Sequence, residues 1–181
     1  TGFGTLHPDM ENAEAEIARM EALGLKGVKL HPDMQQFYID DPKMYPIYEL
    51  LAGRLPVLFH TGDYRYPYSH PERLARVLDD FPALTAIAAH FGGWSIPEIA
   101  LDCLRGRRCF FDVSSSLMFL GNRRGEELIR LYDPERMLFG SDFPMWDPAE
   151  ELERFYTLRL SEEERKMILW ENALRVLGEK G

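Results

Sequence analysis

Short apolar runs alternate with longer amphipathic stretches along the whole chain. The runs occupy residues 2–6, 27–31, 57–60, 84–90, 109–113 and 137–140, and most are rich in Val, Ile, Phe and Leu. Each is too short for a helix and reads as a buried strand. Between them the spacing is helical. Residues 12–23 set Ala13, Ile17, Met20 and Leu23 on one face, carry Glu11, Glu14 and Glu16 early, and stop at Gly24. Residues 71–78 group Leu74, Val77 and Leu78 behind Pro71. Residues 97–104, 125–131 and 148–156 read similarly, and two helices finish the chain. The first of these opens on a capping box at Ser161 and Glu164, and the second covers 171–177 before Gly178.

Six strands with helices between them imply parallel strands covered by helices. The landmark residues at strand ends are His31, His60, His90, Asp112 and Asp142, at spacings of 29, 30, 22 and 30 residues, which suit successive βα units. An open doubly wound sheet and part of a β/α barrel both fit. No GxGxxG and no Walker-type phosphate loop occurs, so nucleotide binding loses its main support.

Composition narrows the class further. The 181 residues include 21 Lys and Arg against 30 Asp and Glu, a formal net charge of −9. Such a chain lacks the electrostatic footprint of a nucleic-acid or anionic-membrane binder. No apolar stretch approaches a membrane span. Cys103 and Cys109 make neither a disulfide framework nor a zinc knuckle, which points to a reducing cytoplasm. The chain opens on Thr1 rather than Met, as an internal piece of a longer protein would.

In parallel β/α folds ligands bind beyond the carboxyl ends of the strands, so the polar residues there carry the chemistry. His7, His31, His60 and His90 each follow an apolar run, whereas His70 reads as a helix start. One such histidine has a bland explanation, a hydrogen bond to backbone. Three histidines and Asp142 converging on one mouth suit a catalytic divalent metal, zinc by donor chemistry, against the alternative of a polar mouth that holds only water or an anion. Lys29 shares a strand face with His31 and reads as an inward lysine paired with an acid, or as a modified, metal-bridging lysine. Asp112 is either a partner for a histidine or a satisfied strand-end acid. Arg65, in a tyrosine-rich loop, is either surface or a bidentate binder of a substrate carboxylate. Trp94, Phe143 and Trp146 either line an apolar pocket or cap the barrel. Gly92 and Gly93 read as a tight turn below the ligand.

The ordered series GVKLHP, PVLFHTGD, AAHFGG, MLFGSDFP and ENALRVLG resembles the amidohydrolase superfamily, in its amidohydrolase-2 branch of hydrolases and decarboxylases. The resemblance covers essentially the whole chain and implies a distorted (β/α)8 TIM-type barrel with a divalent metal at its mouth. By that resemblance His60 binds the metal, His90 binds it or activates water or substrate, and Asp142 binds it or takes a proton from its water. His31 then lines the substrate pocket, with Arg65 and Trp94 as further substrate contacts.

The family's His-x-His pair at the end of strand one is absent, and the first run here looks like the family's third strand. The chain is therefore expected to be one barrel domain over 1–181 carrying strands three to eight, either a piece of a longer barrel or a natural fragment, which a His-x-His strand encoded upstream would decide. Taken alone, those residues are expected to aggregate or to pair open edges as a homo-oligomer. The expected activity is hydrolysis of an ester, lactone or amide of a small organic acid, with non-oxidative decarboxylation on the same scaffold as the alternative. A non-catalytic barrel fragment is the alternative of another class. A metal-free sugar- or phosphate-binding protein would have to rely on Gly92 and Gly93 for its anion site.

Overall fold

The computed structural model describes residues 1–179. Five parallel strands form one sheet: β1 (Val28–Leu30), β2 (Val57–Phe59), β3 (Ala86–Ala88), β4 (Cys109–Asp112) and β5 (Met137–Leu138). Each strand pairs with the next in sequence, so the order is β1-β2-β3-β4-β5, with Val28 beside Val57, Val57 beside Ala86 and Ala86 beside Cys109. A doubly wound sheet reverses its order at a switch point. This one never does, which is the progression of a barrel wall.

The pleat sorts the strand residues. Val28, Leu30, Val57, Phe59, Cys109 and Phe111 are buried beneath the helices, while the intervening Lys29, Leu58 and Phe110 are only partly covered. Lys29, Leu58 and Ile87 line an interior hollow of about 400 Å³, closed in part by Phe3 and by Ala173 and Val176 near the C-terminus.

The helices are α1 (Ala13–Ala22), α2 (Pro32–Gln35), α3 (Tyr45–Leu51), α4 (Pro71–Asp80), α5 (Pro97–Leu104), α6 (Leu117–Tyr132), α7 (Pro148–Tyr156), α8 (Glu162–Lys166) and α9 (Asn172–Leu177). The Asn12 side chain accepts from the Ala15 N–H at 3.0 Å to start α1. Ser161 and Glu164 form the expected capping box on α8. Ile17 and Met20 of α1, Leu74 and Val77 of α4, and Leu128 and Ile129 of α6 join the strands in one core. No helix of the described residues is long and apolar enough to cross a membrane. Cys103 and Cys109 are free thiols.

Several elements differ from the sequence reading. The expected strand over 2–6 is reduced to one bridge, Gly4 to Val28, held by Gly4 N–H to Gly27 O and Lys29 N–H to Gly4 O. A Cβ at Gly4 would lie 2.4 Å from the Met20 sulfur, so α1 packs directly on this backbone. The helices α2 and α3 have no counterpart in the apolar pattern, because four and seven residues give too few turns for a period to show. The helix expected over 125–131 begins at Leu117 and is broken at Gly121, whose φ of 69° and ψ of 164° are not helical. The two final helices are joined by a π-helical segment, Met167–Glu171, into one stretch. There the Asn172 amide, buried, donates to Pro134 O and Met137 O and ties α9 to β5.

Candidate active site at the carboxyl ends of the strands

The loops after β2 and β3 lock together beneath the site. Trp94 N–H donates to Thr61 O at 2.9 Å, Ser95 N–H to Gly62 O at 3.0 Å, and the Thr61 hydroxyl to Ala89 O at 3.0 Å. Gly62 has φ +78°, and a Cβ there would sit 2.3 Å from Gly93 Cα. Gly62→Ala is therefore expected to lower stability by about 3 kcal/mol, through backbone strain added to an immovable clash. Gly106→Ala, also left-handed at +81° but with open space around it, should lose only about 1 kcal/mol. Urea unfolding of the two variants checks the difference. Gly93 is extended, so its glycine answers a need for space: a Cβ would meet the Ala100 Cβ at 2.7 Å.

Three residues gather on this frame, two of them at strand ends. The His31 ring, after β1, stacks on the His60 ring, after β2, with centroids 3.9 Å apart and planes 11° from parallel. Asp33, in α2, is buried and fixed by Ser69, whose hydroxyl donates to Oδ2 at 2.6 Å and whose N–H donates to Oδ1 at 3.1 Å. Among the described residues, His31, Asp33 and His60 are the group whose ligand atoms could hold one ion, each within 4.8 Å of the others. The His60 Nε2 atom is buried 3.5 Å from Asp33 Oδ2 with no hydrogen-bond partner. A buried ring nitrogen left unpartnered between a carboxylate and a second imidazole fits a divalent metal.

On its other side, His60 Nδ1 meets His90 Nε2 at 3.1 Å, and His90 Nδ1 lies 3.0 Å from Ser114 O. One tautomer set satisfies the chain: Nδ1–H of His60 donates to His90, Nδ1–H of His90 donates to Ser114 O, and His60 Nε2 keeps a free lone pair. Burial, reinforced by the neighbouring His90 and His31 rings, pushes the His60 pKa down to about 2, so the ring is neutral and ready to bind. Burial also lowers His31, and it raises Asp33 against the opposing hydrogen bonds from Ser69.

The remaining predicted residues are placed as follows. Asp142 accepts from the Ser115 hydroxyl at Oδ2, 2.6 Å, and Ser115 in turn accepts from the Trp146 indole at 2.8 Å. Asp142 faces the same hollow of about 480 Å³ as His31, Asp33 and His60, but lies outside the three-residue group. His90 touches that group only through His60. Asp112 is satisfied: its Oδ1 accepts from the His90 N–H and from the Ser114 N–H and hydroxyl. Lys29 faces the hollow without a carboxylate within 4 Å among the described residues. Burial lowers its pKa, with Asp112 and Asp142 pulling the other way.

Arg65 gives Nε and Nη2 to the Asp63 carboxylate and lies over the Trp94 and Tyr66 rings at 5.4 and 5.6 Å. That pairing raises Arg65 and lowers Asp63. Its Nη1 makes no hydrogen bond among the described residues and is the atom left for a ligand. Trp94, Phe143 and Trp146 line the same hollow. His7 is taken up by Gln35 O and the Asp9 N–H, and His70 caps α4.

Three residues here hold left-handed backbone without being glycine: His90 at φ 60°, Ser115 at 52° and Asp142 at 61°. Such strain persists where surrounding contacts over-determine it, and it gathers at functional sites. Sequence reading passed over Asp33 and Ser69. The signal for Asp33 was its place two residues after His31, in HPD.

A parallel barrel wall with histidines and carboxylates gathered at its carboxyl mouth defines the class of β/α-barrel proteins that work at that end. Residues 1–178 match the amidohydrolase family in its amidohydrolase-2 branch, and the chain belongs to that family. No curated protein sequence matches it. Among solved structures it resembles the uncharacterized TIM-barrel protein Bb4693 of Bordetella bronchiseptica, at 29% identity and TM-score 0.81, over 98% of this chain and 65% of that one. The chain thus spans about two thirds of that relative's length. It also resembles a protein of Pseudomonas putida provisionally assigned as a 2-pyrone-4,6-dicarboxylic acid hydrolase, at 24% identity and TM-score 0.71, over 97% of this chain and 71% of that one. A third is a dihydroxybenzoic acid decarboxylase of Polaromonas sp. JS666, with bound manganese and the inhibitor 2-nitroresorcinol, at 18% identity and TM-score 0.74, over 95% of this chain and 66% of that one. At that identity the last two establish the fold alone.

Proposed function

We propose that the protein is a metal-dependent hydrolase that opens an ester, lactone or amide of a small organic acid. The observation that carries the reading is the buried His60 Nε2 atom, without a hydrogen-bond partner, facing Asp33 and His31. His60, Asp33 and His31 would hold a divalent ion, zinc by donor chemistry. Such an ion supplies Lewis acidity and makes water acidic near neutral pH.

The chain's own residues supply the rest. Asp142 is held at Oδ2 by Ser115, so its Oδ1 is placed to accept the proton of the attacking water. His90 backs His60: its Nε2 accepts the His60 Nδ1–H and holds that ring with Nε2 free toward Asp33 and His31, a positioning role. Arg65 Nη1 binds the carboxylate of the acid and Trp94 offers a flat wall to its body. Residues 1–181 belong to a single barrel domain, to whose wall they contribute the five paired strands and the bridged run at 2–6. The partner is a small molecule rather than nucleic acid, and the setting is the reducing cytoplasm, where Cys103 and Cys109 stay as thiols.

Decarboxylation is the second reading, favoured by Arg65 lying over Trp94 and Tyr66 beside the ring walls of Phe143 and Trp146, a setting for a planar aromatic acid. Turnover of small lactones, esters and hydroxybenzoates by the metal-loaded, full-length protein in 18O-water separates the two. Hydrolysis leaves one heavy oxygen in the acid product. Release of CO2 without label in the organic product would replace the first reading by the second.

A further inference from the structure

Beside the mouth hollow lies a second, mainly apolar one of about 350 Å³, between the turn after β3 and the first turn of α6. Trp94 forms a wall of both. The other walls also meet in pairs across the boundary. His60 of the first is hydrogen-bonded to His90 of the second at 3.1 Å, and Trp146 of the first meets Phe119 of the second edge-on at 6.2 Å. Ser115 and Ser116, adjacent in the chain, take one side each. No carboxylate, lysine or arginine lines the side hollow; Pro97, Phe119 and Leu120 give it an apolar surface.

The turn that carries Phe119 is set off from the rest of α6 by the non-helical Gly121, and Phe119 is 64% exposed although it stands over this hollow. A ring seated there would cover Phe119 and one side of Trp94, and a hollow of this volume is ample for a ring.

We propose that the side hollow is a second subsite, which takes an uncharged aryl arm of a ligand whose carboxylate end occupies the mouth. The identity of the mouth ligand as a small acid rests on the reading above; the side subsite stands on its own walls. Because Trp94 is the shared wall, the two arms meet at an angle around it, and the ligand needs a bend between them.

The test uses the full-length protein, benzoate and 4-benzylbenzoate as acids, and fluorobenzene as a neutral probe followed by 19F NMR. The expected result is that 4-benzylbenzoate binds at least about tenfold more tightly than benzoate, since a phenyl group leaves water for an apolar pocket. It should displace fluorobenzene, whereas benzoate should not. Leu120→Trp, which fills the hollow, should bring the ratio of the two acids close to one and leave benzoate affinity unchanged. Phe119→Ala, at an exposed position, should lower the ratio without touching the core.

Equal affinities in the wild type, displacement of fluorobenzene by benzoate, or a preference that survives both variants would overturn the proposal. If neither acid binds while fluorobenzene binds the wild type and not Leu120→Trp, the subsite stands and the small-acid reading of the mouth fails.

Discussion

His60→Ala should empty the metal site of the full-length protein while leaving the barrel folded. His60 offers the one ring nitrogen in the cluster that is buried and unpartnered, so its removal takes away the lone pair best placed to bind the ion. Loss of an outer hydrogen-bonding partner of a metal ligand already weakens metal binding by about 10–100-fold. Removal of the ligand itself should exceed about 100-fold, and turnover should fall with it. Elemental analysis after dialysis against a weak chelator measures the first effect directly.

Ser69→Ala provides the comparison. It removes the hydroxyl that fixes Asp33 at 2.6 Å but keeps the N–H bond at 3.1 Å, so metal affinity should drop by no more than that smaller factor. Full metal content in His60→Ala would remove His60 from the ion and take the proposed activity with it.

What could be read from the chain depended on how far each interaction reaches. The barrel wall was legible because its signal is periodic: apolar runs recur about every 30 residues, each ending in a polar landmark. The structure keeps that order but shortens most strands to three residues, the length over which neighbouring runs stay in register. The edge run at 2–6 lost its strand character because α1 packs on Gly4 and only one bridge forms.

In the site, His31, His60 and His90 stood out as strand ends, and their rings do meet. Asp33 sits on a four-residue helix with no period to betray which way it faces. Its orientation is fixed by Ser69, 36 residues away, which no local pattern encodes. Arg65 was legible as a cation at the mouth. Its partial commitment to Asp63, two residues earlier, follows from a turn geometry that the sequence alone leaves open.

Asp142→Asn should lower turnover by about 1,000-fold, within the range that a positioned proton acceptor contributes, and it should do so without loss of fold or metal. The amide has the same shape as the carboxylate and can still accept the Ser115 hydrogen bond. Asparagine also tolerates the left-handed backbone that residue 142 adopts at φ 61° better than most residues. What the amide cannot do is take a proton from water at Oδ1. Metal content then separates two roles that the family resemblance leaves joined. An unchanged ion with lost turnover assigns Asp142 to proton transfer, as its place outside the His31, Asp33 and His60 group suggests. Joint loss of ion and turnover assigns it to the ion instead. Ser115→Ala, which frees the Asp142 carboxylate and unpairs the Trp146 indole, should slow turnover by only about tenfold, because the acceptor remains and only its orientation is loosened. Turnover in Asp142→Asn equal to that of the wild type would exclude Asp142 from the chemistry altogether.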